Sequence, residues 1–197
     1  MGVYLNSHSA YGLFQADFSL TYYVDKSDIL KELIPLVEGK APKYVAITRP
    51  RRFGKTVMAN MIASYFNKDI DSHEVFDTLN VSQYPWYKKH LNHHNVIHIM
   101  FNEIPDEVTS YEQYSRMIKD ILLDDLSSAY PNAKIRDTDP VWRALTKVYE
   151  YCNQERFIFI LDEWDYIYHQ SYMTDADKPS DINSIRHIFQ NKSRYQK

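Results

Sequence analysis

The sequence predicts an α/β domain with a mostly parallel sheet. Three short apolar runs, at residues 44–47, 96–101 and 157–161, read as strands. Segments with helical periodicity separate them, and strands alternating with helices favour parallel pairing. A Gly54-Lys55-Thr56 turn joins the first run to the helix that follows it.

Taken in order, residues 1–19 read as an irregular lead-in. Ser27 is placed to cap a helix over 28–37, with Ile29, Leu30, Leu33, Ile34 and Val37 on one face. Gly39 and Pro42 end it. The β-branched run 44–47 then reads as a buried strand, and 48–56 as a loop. A helix over 55–66 carries Val57, Met58, Met61, Ile62, Tyr65 and Phe66 at helical spacing, so one face should be apolar. Helices are expected over 111–126 and 140–151. The run 157–161 should be a fully buried strand, and 182–194 a last helix. The expected organisation is a lead-in with a first helix (1–39), then a core (40–197).

With 197 residues and 44% hydrophobic content, the chain can bury one core. A net charge of -3 and a pI near 6.2 do not favour a nucleic-acid surface. Cys152 is the only cysteine, so no disulfide framework forms within the chain, which suits a cytoplasmic setting. The N-terminus has no signal-peptide pattern, and the apolar run 157–161 is too short to span a bilayer. Met1-Gly2 starts like a myristoylation site, but Asn6 stands where Ser or Thr is needed. His90, His93, His94 and His98 cluster without cysteine and beside Lys88 and Lys89, which reads as a solvated polar turn rather than a zinc site. Tyr84, Trp86 and Tyr87 read as a partly buried aromatic loop rather than a base-stacking surface.

Residues 48–56 read Thr-Arg-Pro-Arg-Arg-Phe-Gly-Lys-Thr. A full phosphate-binding P-loop motif needs glycine at position 49, where this chain has Arg49. The setting of strand, loop and helix compensates for the partial match. A helix N-terminus offers unpaired N–H groups and partial positive charge to an anion. Arg51, Arg52, Phe53, Gly54, Lys55, Thr56 and Val57 are therefore candidate nucleotide-binding residues. Lys55 would reach the β- and γ-phosphates, and the Thr56 hydroxyl would ligate magnesium. Arg49, Arg51 and Arg52 cannot all touch one nucleotide, and at least one is expected to pair elsewhere.

The run 157–161 ends in Asp162-Glu163. Ligands of parallel α/β sheets bind at the carboxyl ends of strands. Asp162 is thus a candidate magnesium residue, and Glu163 a candidate catalytic base for the attacking water. Asp165 is expected to face water.

Three segments together resemble the bacterial AAA-ATPase-like family: Tyr22-Tyr23-Val24-Asp25-Lys26-Ser27, Arg49 through Thr56, and Asp162-Glu163-Trp164-Asp165. The resemblance implies ATP and Mg2+ as cofactors and a P-loop NTPase fold. That fold is a three-layer α/β/α sandwich of the additional-strand type, in which Glu163 is catalytic. By analogy with signal-transducing ATPases it puts Tyr23, Asp25 and Lys26 near the adenine, though the same residues also read as a turn capping the first helix. It implies ATP hydrolysis coupled to a conformational switch passed to a protein partner or a further domain. Family members often carry a nuclease-like C-terminal domain, for which 197 residues leave no room.

After Leu161 the sequence offers no further apolar β-rich run. In the additional-strand order, a later strand lies between the phosphate-loop strand and the Asp162 strand, and another covers the far side. The expectation is a core missing its C-terminal strands, with 44–47 unpaired or paired wrongly. A binding or interaction module without turnover is therefore the alternative function.

Overall fold

Spacings of three and four residues between bulky apolar side chains decide the helices of this chain. The computed structural model describes residues 2–40, 44–48, 50, 52–103, 105 and 107–171. It is a mixed α/β structure with a small parallel sheet of two strands, β1 (Asn95–Met100) and β2 (Phe157–Asp162). The chain divides into two compact units. One contains Asn6–His98 and Phe157–Asp162. The other contains Gly2–Leu5, Ile99–Arg156 and the described chain from Glu163 to Ser171.

The first unit holds α1 (Ser9–Phe18), α2 (Leu30–Val37), α3 (Lys55–Phe66), α4 (His73–Phe76) and α5 (Tyr87–His90). Helix α1 corrects the expectation of an irregular lead-in. Ala10, Phe14 and Phe18 recur at helical spacing, and Phe14 is fully buried. Its ring meets Tyr23 at 6.1 Å and Phe76 at 5.4 Å, and α1 packs along α3. Burying an aromatic of this size contributes about 2–3 kcal/mol, enough to order a short helix of low internal stability.

Helix α3 has the expected bounds but not a single apolar face. Residues 60–66 are all buried, including Asn60 and Ser64. Packing on more than one side overrides the amphipathic pattern. The Ser64 hydroxyl donates to the Asn60 carbonyl, and the Tyr65 hydroxyl to that of Tyr87. Ser27 does not cap α2. Residues Ser27–Ile29 form a 3-10 turn before it, and the Ser27 hydroxyl accepts from the Val81 N–H at 3.1 Å.

Two strand expectations also change. Residues 44–48 form no strand and are exposed, Tyr44 at 85% and Val45 at 53%. β-propensity becomes a strand only beside a partner, and these residues have none among those described. Strand β2 is half-buried rather than fully buried. Ile158 and Ile160 pack on the core of the first unit, whereas Phe159, on the opposite face, is 38% exposed. The expected helix over 182–194 lies outside the described residues.

The histidine cluster is only partly solvated: His90 and His98 are buried and His94 half-buried, while His93 is exposed. His90 and His94 stack at 5.2 Å, with Nδ1 of His90 2.9 Å from Nε2 of His94, and His90 Nε2 faces Glu38. No group of three candidate metal ligands occurs among the described residues. Burial first, then the nearby charges of His90, His93 and Lys89, hold the His94 pKa down at about 4, from an ordinary 6.5. The folded state thus refuses a proton that the unfolded chain accepts. Stability is complete above about pH 6.5 and falls as pH drops toward 4. Glu38 adds a lower window. Hydrogen bonds from Lys40 and Lys89 hold its carboxyl at about 2 instead of 4.5, so its contribution is lost between those values. With the His94 shift discounted by about half for solvent screening, thermal melts should show a loss of about 1 kcal/mol, roughly 2–4 °C, between pH 7 and pH 5. His94→Asn should remove part of that slope. An unchanged slope would mean that His94 does not set it.

The second unit is built on α6 (Tyr111–Ala129) and α7 (Val141–Tyr151), which pack together. Ser110 caps α6, its hydroxyl accepting from the Gln113 N–H. Asp125 of α6 is buried. Its carboxylate accepts the backbone N–H groups of Val3, Tyr4 and Leu5 at 2.9, 2.7 and 2.9 Å.

Candidate functional site

Helix α3 begins at the motif that the sequence singles out. Gly54 is its N-cap and adopts φ +73, ψ +36. This left-handed conformation is cheap only for glycine. A Cβ there would meet Lys26 Nζ at 3.4 Å, an ordinary contact, so conformation rather than space requires glycine. Arg52, two residues earlier, also has positive φ, +66. Turns of this kind aim successive backbone N–H groups at one point, which suits an anion. Lys55 and Thr56 follow as the first helical residues, both half-buried. Arg49 and Arg51 lie outside the described residues.

The loop opens onto a cavity of about 370 Å³. Arg52, Phe53, Gly54, Val57 and Met58 line one side, and Asp17, Leu20, Tyr22, Tyr23, Val24 and Lys26 the other. Tyr23 and Lys26 are therefore beside the loop that ends at Gly54, while Asp25 does not line the cavity. Its carboxylate accepts from the Ser27 N–H at 2.8 Å and the Asn80 N–H at 2.7 Å, which is a turn-fixing role. Tyr23 packs edge-on against Phe14 and Phe18, and burial, then Asp25 and Asp17, push its hydroxyl up to about 12. It is a neutral wall.

Helix α3 packs against β2, which ends at Asp162, a residue only 7% exposed. On the neighbouring strand, His98 is also buried, with Nε2 lacking a hydrogen-bond partner among the described residues. Burial lowers its pKa, and the Asp162 charge partly offsets this. Glu163 follows β2 with φ +52, an uncommon conformation for a non-glycine residue. Such geometry costs about 1–3 kcal/mol and gathers at functional sites. Asp165 is exposed, as expected.

A family model described as Predicted AAA-ATPase matches residues 17–195. The chain belongs to this family. No curated protein and no solved structure matches it. The motif residues lie in the loop before α3, at the head of α3 and at the end of β2. Sequence reasoning missed Asp17, Leu20, Tyr22, Val24 and Met58 as cavity residues. Tyr22 and Val24 alternate with Tyr23, and their exposure, 93% and 68%, is unusual for such residues. That alternation of apolar residues before the Asp25 turn is the signal that could have found them. Among the described residues, no helix is long and apolar enough to cross a membrane.

Proposed function

We propose that this chain binds ATP with magnesium and that Glu163 serves hydrolysis. The observation that carries the reading is the left-handed Gly54 cap, which presents the head of α3 beside a cavity, on a helix packed against the strand ending in Asp162. The donor set fits the ligands. Lys55 would neutralise the β- and γ-phosphates, and Arg52 and the N–H groups of residues 53–57 would take the remaining oxygens. Thr56 and Asp162 are hard oxygen ligands suited to magnesium. Bound magnesium would neutralise charge developing on the phosphates. Arg51 stays a candidate from the motif alone. Tyr23 and Lys26 would border the nucleotide, whereas Asp25 is committed to its turn.

The finer fold reading is a P-loop core of three α/β/α layers of the additional-strand type. It is supported by β1 pairing with β2, the order expected when the phosphate-loop strand stands apart from them. The output would be a conformational change passed to a protein partner or to a further domain. The lone Cys152 favours a reducing, cytoplasmic setting.

One observation favours a second reading, a nucleotide-binding or interaction module without turnover. Residues 44–48, which lead into the loop, are exposed and unpaired among the described residues, so no strand holds the loop on that side. A phosphate-release assay separates the two. Under the first reading the chain releases phosphate from MgATP. Glu163→Gln then slows release at least about 100-fold while ATP stays bound, because an amide cannot accept a proton from water. Binding without release by the parent chain would favour the second reading. Equal release by parent and variant would remove Glu163 as the base.

A further inference from the structure

We infer that Lys26 is a further phosphate-binding cation beside Lys55 and Arg52, latched onto the phosphate loop, rather than a residue of the base pocket. This rests on the nucleotide-binding reading above and adds a residue that the loop motif does not contain.

Lys26 lies 27 positions before Phe53, yet its ammonium donates to the Phe53 carbonyl at 3.0 Å. The same nitrogen is 3.4 Å from where a Gly54 side chain would begin. It therefore sits over the left-handed residue that heads α3, on the wall of the cavity. The residues flanking Lys26 are pinned. The Asp25 carboxylate accepts from two backbone N–H groups, one of them Asn80, and the Ser27 hydroxyl accepts from Val81. Those anchors fix the turn, so the side chain reaches the loop from a set position and little ordering is left for a ligand to impose.

The ammonium is also undercommitted. It carries three donors and a full charge. Among the described residues its one hydrogen-bond partner is a neutral carbonyl, and no ion pair joins it to a carboxylate. An exposed cation held over an anion-binding turn gains little from a neutral acceptor and much from a phosphate oxygen, since charge-assisted bonds are about twice as strong. The base side of the cavity is chemically different. Leu20, Tyr22, Tyr23, Val24 and Met58 supply mostly apolar and aromatic surface there, and Asp17, which also lines the cavity, forms no ion pair with Lys26 among the described residues. When a polyphosphate enters, the ammonium exchanges the Phe53 carbonyl for a phosphate oxygen and joins the residue 17–26 segment to the ligand.

Calorimetric titrations of the wild-type chain, Lys26→Ala and Lys26→Arg with ATP, inorganic triphosphate and adenosine test this. Lys26→Ala should weaken ATP and triphosphate about tenfold and leave adenosine unchanged, the loss of one charge-assisted contact. Lys26→Arg should stay within about threefold of wild type, because the charge is kept. The wild-type slope of log affinity for triphosphate against log salt should also exceed that of Lys26→Ala. A residue that only shapes the loop would be rescued poorly by arginine and would leave that salt slope unchanged. Equal ATP affinity in Lys26→Ala and wild type, or equal losses for ATP and adenosine, overturns the assignment. A wild-type chain that binds neither ATP nor triphosphate removes the nucleotide reading itself. Retained wild-type ATP binding with no effect of Lys26→Ala removes only the latch.

Discussion

Lys55→Ala lowers ATP affinity at least about 100-fold and leaves the melting transition in place. Under the nucleotide reading, the Lys55 ammonium is the point charge on the β- and γ-phosphates. Losing two charge-assisted contacts removes about 3 kcal/mol or more of binding, which is a hundredfold or greater change. Stability should not follow. Lys55 is the first residue of α3 and half-buried, outside the enclosed stretch 60–66. Alanine is the best helix former at such a position. Titration of both proteins with a fluorescent ATP analogue, beside thermal melts, reads the two effects separately. Equal affinities would sink the assignment of this loop. A parallel fall in melting temperature would instead assign Lys55 a structural role.

Asp125→Ala should be the most destabilising single change in the second unit, by about 3–5 kcal/mol. Three backbone N–H groups converge on this carboxylate, those of Tyr4 and Leu5 in buried surroundings. Alanine leaves the buried Tyr4 and Leu5 donors with no acceptor, and an unsatisfied buried donor costs about 1–3 kcal/mol. Gly2 adds to the constraint, because a Cβ there would lie 2.5 Å from the Asp125 carboxyl carbon. A side chain there would push the Asp125 carboxylate off its three donors. Asp125→Asn is nearly isosteric and keeps one acceptor oxygen, so it should cost less than half as much. Urea unfolding followed by circular dichroism measures both. Similar losses for Asn and Ala would mean that the carboxylate charge, not the convergence of donors, holds residues 3–5. A loss below about 1 kcal/mol for Ala would remove the clamp.

The sequence determined the parts of this protein whose physics is local. A glycine must precede Lys55 because the α3 cap is left-handed, so the loop was legible from Gly54-Lys55-Thr56 and the periodicity after it. Helices α6 and α7 followed from spacing, and β2 with its terminal Asp162 from an apolar run ending in charge. Tertiary partners decided the rest. Residues 44–47 have strand propensity, but a strand needs a neighbour, and propensity cannot supply one. Residues 9–18 form a helix because Phe14 finds the core beside Phe76 and Tyr23, which lie outside that segment. The same holds for the anchors. Asp125 looks like an ordinary surface acid in sequence, and resemblance places Asp25 and Lys26 near the adenine without saying what either one contacts. Their roles come from groups 120, 55 and 27 positions away, brought within hydrogen-bond reach by folding. Periodicity encodes which face of an element is apolar. Only packing decides what that face, or a single charge beside it, will meet.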